Sequence, residues 1–338
     1  MAYPVAATKD LSILHPGLHP IITLLPDTLE TAKTADVVVN FMRAVPPRPH
    51  EDPEIIKKDI QVSMDDAPPE QPPTTVRLYI PKREITKGLL PVVIWSHHGG
   101  FFSAGPARLD PFCCSIAAAA GVIVAAPAYR KTPENPFPAP FDDVYQVLIW
   151  LTTSSETKQY SIDPNRIAVA GSSAGGTLAV GITLRYRDEG RDMSKIPLVI
   201  LDDTSVTDTS KSYSTYHNPV NKLWNANVTR FMWDLYLPEG SSALDAKTRG
   251  YAVPVHAEDL KGLPSTMVLC AQWDDLTNDA ILFAHRLLEA GVPTEIHTYR
   301  GTFHISDKLV HDTKIAAKKR RDIVDSLRAA FGTTEDKE

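Results

Sequence analysis

Continuous apolar runs alternating with helical stretches limit the folds open to this chain more than any other feature. β-rich runs recur at 57–63, 74–81, 91–96, 122–128, 166–171, 197–202, 265–271 and 294–299. The middle ones (Pro91 to Trp95, Val122 to Ala126, Ile167 to Ala170) are apolar throughout. Runs of that kind belong in strands covered on both faces, as in a parallel sheet. Helical candidates lie between and after them at about 108–120, 141–153, 174–188, 277–290 and 313–331. Segment 141–153 opens with Asp142 and Asp143 and spaces Val144, Val147, Leu148 and Leu151 along one helical face. Strand then helix, repeated, predicts a doubly wound α/β sheet, eight-stranded, mostly parallel and flanked by helices. The first two runs alternate in part, which predicts a half-exposed hairpin at the sheet edge.

Two regions break the alternation. Residues 1–50 read as mixed polar and apolar helix, and 203–250 interrupt the sheet with a Ser/Thr-rich stretch followed by the aromatic helix Asn227 to Tyr236. Neither holds enough apolar residues for a core of its own. The expectation is a helical cap made from 1–50 and 203–250, lying over a core of 51–202 and 251–338.

Composition excludes several classes. With 338 residues, 43% apolar, 22% charged and a net charge of −6, the chain is an ordinary globular one, with no reason to take nucleic acid as a partner. Three cysteines, Cys113, Cys114 and Cys270, are odd in number and two are adjacent, against a disulfide framework. No basic segment followed by an apolar run opens the N-terminus, so no secretory signal is expected. The longest nearly apolar run, Ser115 to Ala128, is too short to span a bilayer and contains Gly121 and Pro127. A cytoplasmic protein without stable membrane insertion is expected.

Gly171-Ser172-Ser173-Ala174-Gly175 follows the apolar run 166–171 and precedes a helical segment. In that setting G-x-S-x-G forms a nucleophile elbow, a sharp turn that lifts the serine clear of the sheet and demands small residues two before and two after it. The catalytic partners of such a serine follow in the order acid, then base. Asp274 comes directly after the run ending Met267 to Trp273, with Asp275 and Asp279 as rivals; Asp279 reads better as the first-turn acid of the next helix. His304 stands just past the last run in the turn-rich Arg300 to His304, whereas His297 lies inside that run. After the third strand, His97-His98-Gly99-Gly100-Phe101-Phe102 occupies the place of an oxyanion loop. Its adjacent glycines let backbone N–H groups of Gly99 and Gly100 approach a developing oxyanion, with the N–H of Ala174 completing the hole.

With these residues assembled, the chain resembles the hormone-sensitive-lipase branch of α/β-hydrolase carboxylesterases over about residues 75 to 310. His97 to Phe101 falls on that family's H-G-G-G-F/W, and Tyr129-Arg130 through Pro133-Glu134 to Phe137-Pro138-Ala139 on its Y-R-L-A-P-E…F-P-A. Gly171 to Gly176 falls on G-D-S-A-G-G, and Asp274-Asp275-Leu276 on D-P-L. The resemblance implies a Ser173, His304, Asp274 triad, an oxyanion hole from Gly99, Gly100 and Ala174, and a cap above them. It also implies a small-molecule ester substrate of short or medium acyl, aryl or lactone type, no cofactor, and a homodimer as a common assembly. The chain departs at His98 (usually Gly), Ser172 (usually Asp), Asp275 (usually Pro) and Asn278 (usually a second acid). An acyltransferase or lactone-forming tailoring enzyme of the same chemistry is the alternative. A non-catalytic receptor is the remotest, since the receptors that resemble these esterases have lost the histidine retained here as His304.

Other features have plainer readings. His97 is expected to hold the glycine loop through backbone bonds, and His98 to be solvated or packed in the core. Phe101, Phe102, Trp224 and Phe231, with Trp233 and Tyr236, are candidates for lining a substrate pocket, although aromatic residues at helical spacing more often pack. Lys318-Lys319-Arg320-Arg321 reads as the solvated face of a helix whose apolar face is Ala316, Ile323, Leu327 and Phe331. Cys113 and Cys114 read as buried packing. Neither a metal-ligand spacing nor a phosphate loop is present.

Overall fold

The computed structural model describes residues 11–47, 50–64, 68–85, 88–209, 211–218, 220 and 222–333. Positions 1–10, 48, 49, 210, 219 and 221 of the expected cap therefore lie outside the described residues. Strands β1 (Ile55–Val62), β2 (Thr74–Pro81), β3 (Leu90–Ser96), β4 (Ile123–Pro127), β5 (Ile162–Ser172), β6 (Leu198–Asp202), β7 (Ser265–Trp273) and β8 (Thr294–Phe303) form one sheet. Its order is β1-β2-β4-β3-β5-β6-β7-β8. The β1–β2 and β2–β4 pairs are antiparallel and all others parallel. The expected edge hairpin is present, but only β1 is a true edge: β2 pairs on both sides and is mostly buried.

The main helices are α1 (Ala35–Ala44), α2 (Asp110–Ala120), α3 (Ala139–Thr153), α4 (Ala174–Asp188), α5 (Ala226–Tyr236), α6 (Ala246–Ala252), α7 (Thr277–Glu289) and α8 (Lys314–Phe331). Side chains of a strand alternate between faces, so each central strand feeds two cores. Val93 and Trp95 of β3 with Ala168 and Ala170 of β5 pack beneath α2 and α8. Val92, Ile94, Ile167 and Val169 face the other layer, where α3, α4 and α7 lie. Leu18, Leu29 and Val38 of the N-terminal segment and Trp224 to Tyr236 join that second core.

The chain runs from β3 outward to β4, then returns across β3 to β5. This reversal is a topological switch point, where the crevice at the carboxyl ends of the strands is open to a ligand. The loop after β3 and the turn after β5 meet there. Among the described residues no helix is long and apolar enough to cross a membrane.

Candidate active site

The turn after β5 is strained and tightly packed. Ser173 has φ 56° and ψ −122°, and α4 starts at the next residue. A non-glycine residue there costs about 1–3 kcal/mol, and the surroundings must enforce it. A Cβ on Gly171 would sit 2.1 Å from the Gly175 carbonyl oxygen, and one on Gly175 2.1 Å from that of Ser96. The demand for small residues on both sides of the serine is therefore steric, set by backbone against backbone. The Ser173 N–H donates to the Asp202 carbonyl at 2.8 Å, pinning the turn to the neighbouring strand.

β7 and β8 run parallel with Trp273 opposite Phe303, so the residues that follow, Asp274 and His304, leave the sheet side by side. His304 Nδ1 lies 2.7 Å from Asp274 Oδ2, and its Nε2 lies 3.0 Å from Ser173 Oγ. The Leu276 N–H donates to Asp274 Oδ1 at 3.2 Å and fixes the carboxylate. All three side chains are buried. Burial works against a charged imidazole, but the Asp274 charge and hydrogen bond outweigh it, and the pKa of His304 is raised.

The rival residues are engaged elsewhere. Asp275 accepts a hydrogen bond from Asn218 Nδ2 at 2.6 Å, and burial pushes its carboxyl well up, towards the neutral form. Asp279 is in the first turn of α7, and His297 is a β8 residue beside Glu295. Ser172 points away from His304: its Oγ donates to Asp202 Oδ2 at 2.8 Å and accepts from Trp95 Nε1 at 3.1 Å.

Gly99, Gly100 and Phe101 have φ values of 117°, 62° and 63°, so the loop after β3 turns through the left-handed region three times in succession. A Cβ on Gly99 would lie 2.6 Å from the Ser103 carbonyl oxygen. Ser103 closes the loop from inside, donating from both N–H and Oγ to the Gly99 carbonyl. His97 Nδ1 lies 2.7 Å from the His98 carbonyl, and the His97 ring stacks on Tyr129 at 4.0 Å. The Tyr129 hydroxyl donates to the His97 carbonyl at 2.9 Å. His98 is buried, and burial, with the nearby Lys308 and His304, lowers its pKa to about 3. Among the described residues, none accepts a hydrogen bond from the backbone N–H of Gly99, Gly100 or Ala174. Three donors without partners beside a buried hydroxyl suit a developing negative charge.

One side chain holding this loop was not visible in the pattern. Arg43 of α1 donates to the carbonyls of Phe102 and Thr132 and pairs with Glu134 at 2.7 Å. The N-terminal segment thereby clamps the glycine loop to the Tyr129–Glu134 stretch. An arginine contact across 59 residues leaves no local signal.

Of the candidate lining residues, Trp224 is the one set against His304. Its ring is 5.0 Å from that of His304, and a Cβ on Gly100 would come within 3.0 Å of it. The Phe102 ring lies against Gly100 as well. Phe101 turns the other way, stacking on Tyr236 at 3.8 Å near Trp233. Phe231 is buried with the Arg230 guanidinium 4.3 Å over its ring.

The reading of Lys318 to Arg321 as a solvated face fails at Lys319, which is buried. Ala316, Lys319, Ile323 and Leu327 share one face of α8, and that face lies on the sheet. The spacing was the available signal. Lys319 Nζ is 2.5 Å from Asp202 Oδ1, 3.0 Å from Asp203 Oδ2 and 3.3 Å from Asp307 Oδ1. Lys308 pairs with Asp202 and, at 2.7 Å, with Asp307. The oxygens of Asp202, Asp203 and Asp307 come within 4.8 Å of one another, a spacing a cation accepts, and the two ammonium groups fill that role. Cys113, Cys114 and Cys270 are free and buried.

Known proteins share this arrangement of elements. A sequence profile described as alpha/beta hydrolase fold matches residues 93–306. The chain is 30% identical over 313 residues to esterase LipI of Mycobacterium tuberculosis, covering 86% of this chain and 87% of the relative. It is 28% identical over 288 residues to arylacetamide deacetylase of Oryctolagus cuniculus, covering 68% and 71% of the two chains. A solved structure of a bacterial heroin esterase superposes with a TM-score of 0.79 at 31% identity, covering 95% of this chain and 99% of that one.

Proposed function

The chain belongs to the alpha/beta hydrolase fold family, in its hormone-sensitive-lipase-like esterase branch, and from that premise we propose that it is a serine carboxylesterase working through Ser173, His304 and Asp274. The observation that carries the reading is the continuous relay from Asp274 Oδ2 through the His304 ring to Ser173 Oγ, with steps of 2.7 and 3.0 Å. His304 accepts the Ser173 proton at Nε2 as Oγ attacks the ester carbonyl. Asp274 keeps the Nδ1–H tautomer and stabilises the imidazolium that results. The N–H groups of Gly99, Gly100 and Ala174 receive the oxyanion. His304 then protonates the leaving alcohol, and water repeats the sequence on the acyl-enzyme. No cofactor takes part in these steps.

The substrate is a small ester with a short or medium acyl chain, an aryl ester or a lactone. Trp224 and Phe102 beside the oxyanion loop favour a compact, partly aromatic molecule. Two relatives named as an arylacetamide deacetylase and a heroin esterase favour the same. A second reading, transfer of the acyl group to an alcohol, draws on one observation: Ser173 is 0% exposed and His304 3% exposed, so the reacting groups are shielded from bulk water. Product analysis with an added acceptor alcohol separates the two.

In this reading 1–50 and 203–250 form the cap, and 51–202 and 251–338 the core. Trp224 over His304 and Arg43 on the glycine loop are what a cap would contribute. The cap segment rejoins the core at α6, where a Cβ on Gly181 of α4 would lie 2.2 Å from the Tyr251 carbonyl. Three free buried thiols suit a cytoplasmic protein.

Replacing the nucleophile is the direct test. Ser173→Ala is expected to cut kcat on p-nitrophenyl butyrate by about 10⁶-fold while the protein melts as wild type. Turnover at the wild-type rate by purified Ser173→Ala would end the assignment.

A further inference from the structure

We propose that Asp203 is a positioning residue for the base, a second carboxylate that locks the end of β7 to the turn carrying His304; this rests on the triad reading above. Asp203 follows β6 in the left-handed region, with φ 46°, a conformation uncommon outside glycine. Its N–H donates to the Leu269 carbonyl at 2.9 Å. Its Oδ1 accepts the Ala271 N–H at 2.9 Å, and its Oδ2 accepts the Ile305 N–H at 3.0 Å. Ala271 lies near the end of β7, three residues before Asp274. Ile305 adjoins His304 and is itself left-handed, with φ 47°. One side chain therefore ties together the two backbone segments from which acid and base project. Only a carboxylate suits both bonds, since each of its oxygens accepts and an amide offers one acceptor oxygen.

The carboxylate also lies close to the working pair: its oxygen is within 4.8 Å of the ligand atoms of Asp274 and His304. The groups that face it are Lys319 of α8, Cys270 and Asp274 from β7 and its end, His304 and Asp307 after β8, and Asp202 beside it. Burial, against the pull of Lys319, raises its pKa to about 6. The wider group sets the carboxylates of Asp202, Asp203 and Asp307 against the ammonium groups of Lys308 and Lys319. Three negative charges face two positive ones, so removing the charge of Asp203 leaves a balanced set. That is why a neutral substitution is expected to fold.

The sign of the kinetic effect follows from charge. Asp203 favours the imidazolium of His304, and catalysis needs His304 neutral. Loss of the Asp203 charge lowers the pKa of His304 and moves the acid limb of the rate profile to lower pH. Loss of the second N–H anchor misaligns the ring.

Asp203→Asn should lower kcat on p-nitrophenyl butyrate by about 10- to 100-fold near neutral pH, with KM within about twofold of wild type. Its acid limb should shift to lower pH, and it should keep a cooperative unfolding transition, its midpoint lowered by the loss of one buried hydrogen bond. Asp203→Ser, smaller and equally neutral, carries the same test if the amide is not accommodated. Fluorophosphonate labelling of Ser173 in the wild type checks the triad separately. Labelled wild type together with a folded Asp203→Asn of unchanged kcat and acid limb overturns the assignment of Asp203 alone. Loss of the folded state in both variants overturns it too, since the side chain then serves the fold. Absence of labelling overturns the triad and this proposal with it.

Discussion

The protein buries ionisable groups in two places, and the two are built in opposite ways. Asp274 and His304 form a line whose far end is left for Ser173. Asp202, Asp203, Asp307, Lys308 and Lys319 form a closed knot in which each charge meets an opposite one. The same backbone pairing produces both. Ser172 lies opposite Asp202 in the β5–β6 register, and the next residue, Ser173, turns out of the sheet. Adjacent serines thus serve different ends: Ser172 donates into the knot and Ser173 faces the line. A site that moves a proton needs an unfilled position, whereas a buried ion network is stable only when filled.

Substitutions along the line should therefore act on rate and those in the knot on stability, with Asp203 the exception because it touches both. The largest effect is expected from Asp274→Asn, which keeps shape and loses the charge that selects the His304 tautomer. Steady-state kinetics should show kcat lower by about 10⁴-fold, with the thermal transition near that of wild type. A drop of tenfold or less would mean that another group orients the ring.

Next is Lys308→Met. Removing one partner strands Asp202 and Asp307 with a single ammonium group, and denaturant unfolding should show a loss of about 3–5 kcal/mol. The folded fraction, counted by active-site titration, should turn over within a few-fold of wild type. Unchanged stability would show that the knot is not a structural unit.

The smallest effect, and the finest test of the boundary, is Ser172→Ala. It takes a donor from Asp202 and an acceptor from the Trp95 indole, both buried, at a cost of about 1–3 kcal/mol. Turnover should stay within a few-fold of wild type although the change adjoins Ser173, the proposed nucleophile. A fall in kcat of more than tenfold, with stability unchanged, would join the knot to the line.

Much of the line was legible in the sequence, because each part sits at the end of an element that local pattern reveals. Apolar runs mark β5, β7 and β8, and Ser173, Asp274 and His304 each follow one of them directly. Glycines at 99, 171 and 175 mark turns where a Cβ would meet backbone, and Gly100 one where it would meet the Phe102 ring. The knot was far less legible. Lys319 reads as one of four consecutive basic residues, and only its register with Ala316 and Ile323 separates it from exposed Lys318. Asp203 and Asp307 carry no local mark of burial: Asp203 meets Ile305 and Lys319, more than 100 positions away, and Asp307 meets Lys319 only because α8 docks on the sheet. Arg43 carries no local mark for the same reason, since Phe102, Thr132 and Glu134 lie far along the chain from it.

By itself the sequence determined what repeats or turns locally: the alternation of strand and helix, the sharp turn at Ser173, the glycine loop, and the places of Asp274 and His304 just past strand ends. Periodicity and steric demand are properties of neighbouring residues, so one chain suffices to read them. Tertiary structure alone decided which charges are buried together, which aromatic ring lies over His304, and that Ser172 belongs to the ion network beside Ser173. Those outcomes depend on strand register and helix docking, which bring distant residues within hydrogen-bond reach, where burial makes each unpaired charge too costly to leave.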